Sequence, residues 1–531
     1  MTSTTAAHAD AAAAPSAPAV PAAGLAGLLP PQRAVPRAPG FSNPVLDAGP
    51  TVDHGDPFVL EHLGVYHLFH SGPRGVDAYV SEDLVRWEPA GTVLTGAGED
   101  HWAQLELWAP EVVHQDGEFV MYVAATRPGV GRRSAGKACG ADGGDDTLRR
   151  QGVARAPHPL GPYTWDDEPL VDEWSIDAHP FTDDDGRRWL FYNVRNDDTR
   201  HADGTLGCGN VVDEVLPDGR LAGSPVPVAY PSEPWEAGPD AEQYWNEAPF
   251  TLKRRGRYYQ MYSGGFFGGD GYALGVTVAD SVAGPWRKET VRPLFTSGGD
   301  VSGPGHHCVT VAPDGVTPYA VYHGYVGDGF GRKVHADRLY WAGDGPQLGR
   351  GAVRPTTPSR DAQPLPPAAV HDPAVAAFHL RAWVRGDALT VDGLPVVLGG
   401  GVRLVEARHD GSSLVVRVDG AVVSSRTGRA RPVLAGAQVL RTTLASHLDD
   451  EREHVLSAGE TVVHAWGGAG PVECAVAVSG RARVELGGTV VEVASAGYEL
   501  VTLRAEGGAD RFCVTAIGEG VRVADVVLDA R

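Results

Sequence analysis

Five polar side chains stand six to nine residues ahead of a glycine that opens an aromatic strand. They are Asp56 in Gly-Asp-Pro-Phe-Val, Glu111 in Trp-Ala-Pro-Glu-Val, Asp177 in Ile-Asp-Ala-His-Pro-Phe, Glu247 in Trp-Asn-Glu-Ala-Pro-Phe, and His306 in Gly-Pro-Gly-His-His. Carboxylates gathered in one cleft can divide acid and base work. Like charges and burial raise the pKa of one member, which keeps its proton near neutral pH, while another stays ionised. Such a pair can protonate a leaving oxygen and activate water across a sugar ring. Trp108, Trp174 and Trp245 lie two or three residues ahead of three of these groups, so aromatic walls are expected around them. Gly268-Gly269-Asp270-Gly271 has no strand–loop–helix context, which argues against a nucleotide site.

The elements that position these residues repeat. A turn glycine followed by aromatic strand residues occurs at Gly64, Gly117, Gly186, Gly256 and Gly315, at intervals of 53, 69, 70 and 59 residues. A second element, Gly161-Pro162-Tyr163-Thr164-Trp165 or Gly284-Pro285-Trp286, recurs downstream of several copies. Strands and turns at this period, without helical periodicity, predict a five-bladed β-propeller. Each polar residue then starts the innermost strand of its blade, and the loops between second and third strands return to the same face. Those loops carry Arg127, Arg195, Phe266, Phe267 and Arg332, and a Gly/Asp-rich insert spans about 127–151.

With these motifs in place, residues 42–345 resemble the five-bladed propellers of glycoside hydrolase family 43. The resemblance rests on Trp108-Ala109-Pro110-Glu111, on the Asp177–Gly186 segment, on Glu247-Ala248-Pro249-Phe250 with Gly256-Arg257-Tyr258-Tyr259, and on Gly303-Pro304-Gly305-His306. It implies an inverting glycosidase with Asp56 as general base, Glu247 as general acid and Asp177 orienting and tuning that acid. It also implies that His306 stands beside one structural calcium near the axis, and that acid and base are separated by roughly 6.5–9.5 Å to admit water. Trp108, Glu111, Phe266 and Arg332 are expected to bind substrate, with Asp337 as an alternative partner for Arg332. Ala248 stands where the family usually has glycine, and Glu111 where it usually has Asp. Long blade-two and blade-three loops favour an exo-acting enzyme on terminal pentoses, an α-L-arabinofuranosidase or β-xylosidase. The alternatives are an endo-arabinanase or galactan-directed enzyme on the same fold, and a non-catalytic sugar-binding propeller. A retaining fructosidase would place Arg where Ile176 stands.

The full chain of 531 residues carries a formal charge of −22. Nucleic acid and anionic membrane are therefore not expected partners, nor is an organic cofactor, and the oligomeric state is left open. Residues 351–531 hold 18 basic and 21 acidic side chains, against 27 and 46 in residues 1–350, so the charge belongs to the propeller and the tail before it. A negative field suits neutral sugars and disfavours uronic-acid polymers. The expected organisation is an Ala/Pro-rich disordered tail over 1–36, the propeller over 37–350, a Pro-rich linker over 351–374, and a β-sandwich accessory domain over 375–531 that braces it. Five sparse cysteines suggest no disulfide framework. An N-terminus without a basic start and compact apolar stretch suggests a cytoplasmic protein.

Overall fold

The computed structural model describes residues 40–531 apart from 50, 132–146, 240–242, 289–290, 328, 344, 349–356, 360–364, 366–376, 446, 451–452, 466–470, 508, 510 and 531. The tail over 1–36, most of the linker and the centre of the blade-two insert lie outside the described residues. Among those described there is no α-helix, and every main element is a strand.

Five four-stranded antiparallel sheets follow one another along the chain, each in simple sequential order. Their first strands are Gly55–His62, Leu105–Gln115, Ser175–Thr182, Asn246–Arg254 and Val301–Val311. These first strands pack on one another from blade to blade, and the first also packs on the fifth. They therefore line the axis of a closed five-bladed propeller, the architecture expected from the repeat. Closure is reinforced outside the sheets: the Val45 N–H donates to the Val334 carbonyl at 2.8 Å, and the buried Asn43 amide donates to the Ala336 carbonyl at 3.0 Å. All five repeat glycines sit at positive φ, between 74° and 89°. That left-handed turn returns each first strand into its second and is nearly free of steric cost only for glycine.

Beyond residue 376 the described strands form three more sheets around two separate cores. The first core, centred on Leu380, Val405, Leu414 and Leu444, lies between a five-stranded and a three-stranded sheet. The second, centred on Val476, Val484, Phe512 and Val523, belongs to the last, larger sheet. Buried ion pairs tie both to the propeller. Asp525 receives Arg255 and, at 3.4 Å, Arg254. Glu473 pairs with Arg338, and Arg381 with Glu61 at 3.2 Å.

Candidate active site

Each innermost strand carries a non-glycine residue in the left-handed region: Asp56 (φ 59°), Ala109 (49°), Asp177 (57°), Ala248 (49°) and His306 (45°), with Glu106 (55°) a second one in blade two. In every blade it coincides with a bulge in the pairing of first and second strands. A bulge turns a side chain off the pleat and frees a backbone N–H that must find another partner. In four of the five blades the neighbouring blade supplies it. The Asp56 N–H donates to His323 Nδ1 (3.1 Å), the Ala109 N–H to Ser71 Oγ (3.0 Å), and the His306 N–H to Ser263 Oγ (2.8 Å). The Ala248 N–H donates to Asp177 Oδ2 at 3.0 Å. Left-handed non-glycine residues at one register are costly, and this set of acceptors holds four of the five.

The bulges set the register of the site. Asp56, Asp177 and His306 are themselves the left-handed residues, and Glu247 precedes one. Glu111 lies two positions past Ala109, so it points one layer deeper along the axis than its spacing from Gly117 suggests. There it bonds His179 Nδ1 at 2.8 Å. Burial, opposed by that histidine, raises the Glu111 pKa.

Asp56 is surrounded by donors. Ser71 Oγ donates to Oδ2 at 2.7 Å and Arg332 Nη1 to Oδ1 at 2.9 Å, while His306 Nδ1 stands 3.3 Å from Oδ1. Burial alone would raise its pKa. The Arg332 guanidinium, then His306, His323 and the Ser71 hydroxyl, outweigh it and hold the carboxyl well below the usual range. Arg332 is itself anchored by Asp53, which accepts from Nε at 3.0 Å, from Nη2 at 2.7 Å and from the backbone N–H at 2.7 Å. Asp53 thus takes the place expected for Asp337, which instead accepts the Tyr322 hydroxyl at 2.6 Å. Gly55 is required for this clamp, because a Cβ there would lie 1.9 Å from the Arg332 guanidinium carbon.

Glu247 has the opposite environment. The Tyr272 hydroxyl donates to its Oε1 at 2.8 Å. Burial pushes its pKa up to about 8, helped by Asp56 and opposed by Tyr272 and Arg332. Burial also pushes Asp177 up to about 7, against His306 and with Glu247 and Asp56. Tyr272 is fully buried, stacked on His323 with ring centroids 5.6 Å apart, and fits because Gly305 beside it has no Cβ.

The aromatic walls divide into packing and rim. Trp174 and Trp245 are buried in a cluster with Leu148, Ile176 and Cys208, and Phe266 packs against Trp245. One face of Trp108 carries the Arg149 guanidinium, 4.2 Å from the ring centroid. Phe267, next to Phe266, is exposed instead and lies beneath the Arg332 guanidinium at 5.2 Å.

Ser71, Ser263 and His323 were not among the residues read from sequence, yet each stands before a glycine at or near the end of a second strand: Ser71-Gly72 and Ser263-Gly264 at its end, His323-Gly324 two residues before it. That recurrence is their signal. Tyr272 has none of comparable regularity, whereas Asp53, three residues before Asp56, is visible in the sequence as that residue's competitor. For calcium the donor set is poor: among the described residues no three His, Cys, Asp or Glu side chains gather to hold a cation. The carboxylate within ion-pair distance of His306 is Asp56, whose two oxygens are already committed to Arg332 and Ser71. A directly ligated calcium takes six to eight oxygens, and these residues do not fit one.

The model of "Glycosyl hydrolases family 43" matches residues 41–346, the whole propeller. A solved thermostable family-43 glycoside hydrolase is 33% identical, with a TM-score of 0.52 over 62% of this chain and 99% of its own. A β-D-galactofuranosidase from Aspergillus niger is 29% identical over 52% of this chain and 74% of its own. An extracellular exo-α-(1→5)-L-arabinofuranosidase from Streptomyces chartreusis is 28% identical over 55% of this chain and 84% of its own. The last corrects the cytoplasmic expectation, which rested only on a missing signal. Cys208 is disulfide-bonded, which the sparse cysteine count does not anticipate. With the family model spanning all five blades, the chain belongs to glycosyl hydrolase family 43 and is an inverting hydrolase of O-glycosyl bonds.

Proposed function

We propose that this enzyme removes terminal pentose units, α-L-arabinofuranosyl or β-xylosyl, from plant-type glycans outside the cell. Asp56 serves as general base, Glu247 as general acid, and Asp177 as the group that orients the acid. The observation that carries the assignment is the divergence of two buried carboxyls. Asp56, clamped by Arg332, is ionised throughout the working range, whereas Glu247 keeps its proton up to about pH 8.

In the reaction Glu247 delivers its proton to the glycosidic oxygen as the bond from that oxygen to the anomeric carbon breaks. A water on the opposite face forms the new bond to that carbon and gives its proton to Asp56, so configuration inverts. Asp177 acts through geometry: its Oδ2 accepts the Ala248 N–H, fixing the peptide that follows Glu247. The negative charge of the propeller favours a neutral sugar.

Purified enzyme assayed on aryl α-L-arabinofuranosides, aryl β-xylosides and short arabino- and xylo-oligosaccharides tests the reading. Release of single pentose units supports it. Release of longer fragments from arabinan points to endo action, and turnover restricted to aryl galactofuranosides, the sugar in the Aspergillus niger relative's name, contradicts the pentose assignment.

A further inference from the structure

Apolar side chains left in water on a protein surface need a reason. Among the described residues, the large apolar side chains that are exposed include two aromatics, Phe330 at 90% and Phe267 at 40%. Both lie on loops between the second and third strands of their blades, on the face that carries the site. Phe267 belongs to the turn that leaves the strand Arg257–Gly264, whose Ser263 is paired with Glu247. That same turn ends at Tyr272, the hydroxyl donor to Glu247. Phe330 stands two residues before Arg332, whose guanidinium covers Phe267 and reaches Asp56. Gly331 between them lies against the Val52 carbonyl, and Val52 is exposed as well. Exposed aromatic rings therefore stand on both the loop that holds the acid and the loop that holds the base, with the Arg332 guanidinium over one of them.

Resting on the pentosidase reading above, we infer that Phe267 and Phe330 form a platform for the sugar ring of the leaving group, the ring whose oxygen Glu247 protonates. Sugar rings present a face of C–H bonds that stacks on aromatic carbon, while their hydroxyls stay at the edge in water. An open rim with two phenylalanines suits that use, because it holds the departing ring by area and releases it without breaking a charged contact. Phe266, whose ring is taken up by Trp245, does not share this role.

The test compares two substrates with the same terminal pentose and linkage: a pentose disaccharide, and the methyl pentoside, whose leaving group has no ring. Phe267→Ala and Phe330→Ala each lower kcat/KM for the disaccharide, and the double variant lowers it about tenfold, mainly through KM, while the methyl pentoside changes less than twofold. Melting temperature reports folding in both variants, and exposed Phe330 is expected to leave it unchanged. Equal losses on both substrates, or no loss on the disaccharide, overturn the platform. So does a concentration-dependent dimer that Phe330→Ala dissolves in sedimentation, which assigns the rim to a second copy. Wild-type enzyme that hydrolyses neither substrate defeats the pentosidase reading instead, and this inference with it.

Discussion

The propeller and the C-terminal sheets are built from the same strands and turns, yet they bury different things. Around the propeller axis the buried set includes Asp56's neighbours His54 and His323, with Asp177, His179, Asn193, Asn210, Asn246, Glu247 and His307. Beyond residue 376 the buried polar or charged residues among those described are His409, Glu473 and Asp525. Two of those three face the propeller, through Arg338 and through Arg254 and Arg255. Burying polar groups costs free energy unless they are paired. The propeller carries that cost where five bulges converge, which is where chemistry needs it. The C-terminal region keeps apolar cores and spends its few buried charges on the seam, as a brace would.

This contrast breaks most plainly under substitution of the reacting groups. Asp56→Asn and Glu247→Gln are expected to lower kcat by about 10²–10⁴-fold on an unactivated disaccharide, in protein shown to be folded. Asp525→Ala should do the reverse. Removing it takes a buried carboxylate from Arg254 and Arg255 at the seam, a loss of about 3–5 kcal/mol in denaturant unfolding, with kcat/KM preserved on the folded enzyme. If Asp525→Ala abolished turnover in protein shown to be folded, the seam would belong to the site and the division would fail.

The protonation of Glu247 gives a third contrast. Its pKa is raised on folding, so the folded state holds a proton that the unfolded state releases, and its contribution to stability is lost as pH rises from about 4.5 towards about 8. Glu247→Gln should therefore raise the melting temperature relative to wild type more at pH 8 than at pH 5. A difference independent of pH would place the acid in an ordinary, solvated environment. The smallest expected effect is Ser71→Ala. It removes one hydrogen bond to Asp56 and the acceptor of the Ala109 N–H, and should lower kcat/KM about tenfold while leaving the C-terminal modules untouched in hydrogen exchange.

Much of this was legible in the chain. The five turn glycines fixed the blade count because a left-handed turn leaves few substitutes for glycine. Asp56, Asp177 and Glu247 stood out through flanking Pro and apolar residues, and the structure brings them to one end of the axis. Glu111 was read one layer too high, because spacing was counted to the carboxylate while the backbone counts to the left-handed residue, Ala109. Arg332 was recognised, but its partner Asp53 lies 279 positions away across the closure of the ring, a pairing that only topology creates. Choosing Phe267 over Phe266 needed burial, which two adjacent phenylalanines do not reveal. The two C-terminal cores were equally hidden, since short alternating strands look alike whichever core they face.

The claim at the centre is that Glu247 supplies a proton, held against neutral pH by burial. The most direct test follows kcat/KM against pH for wild type and Glu247→Ala on two substrates with the same pentose, one with a 2,4-dinitrophenyl leaving group that needs no proton and one a disaccharide. The wild type should lose activity on the disaccharide as pH rises through about 8. Glu247→Ala should nearly abolish that activity yet spare the dinitrophenyl substrate, with the limb near pH 8 gone. Equal losses on both substrates, or a limb that survives the substitution, would contradict the assignment.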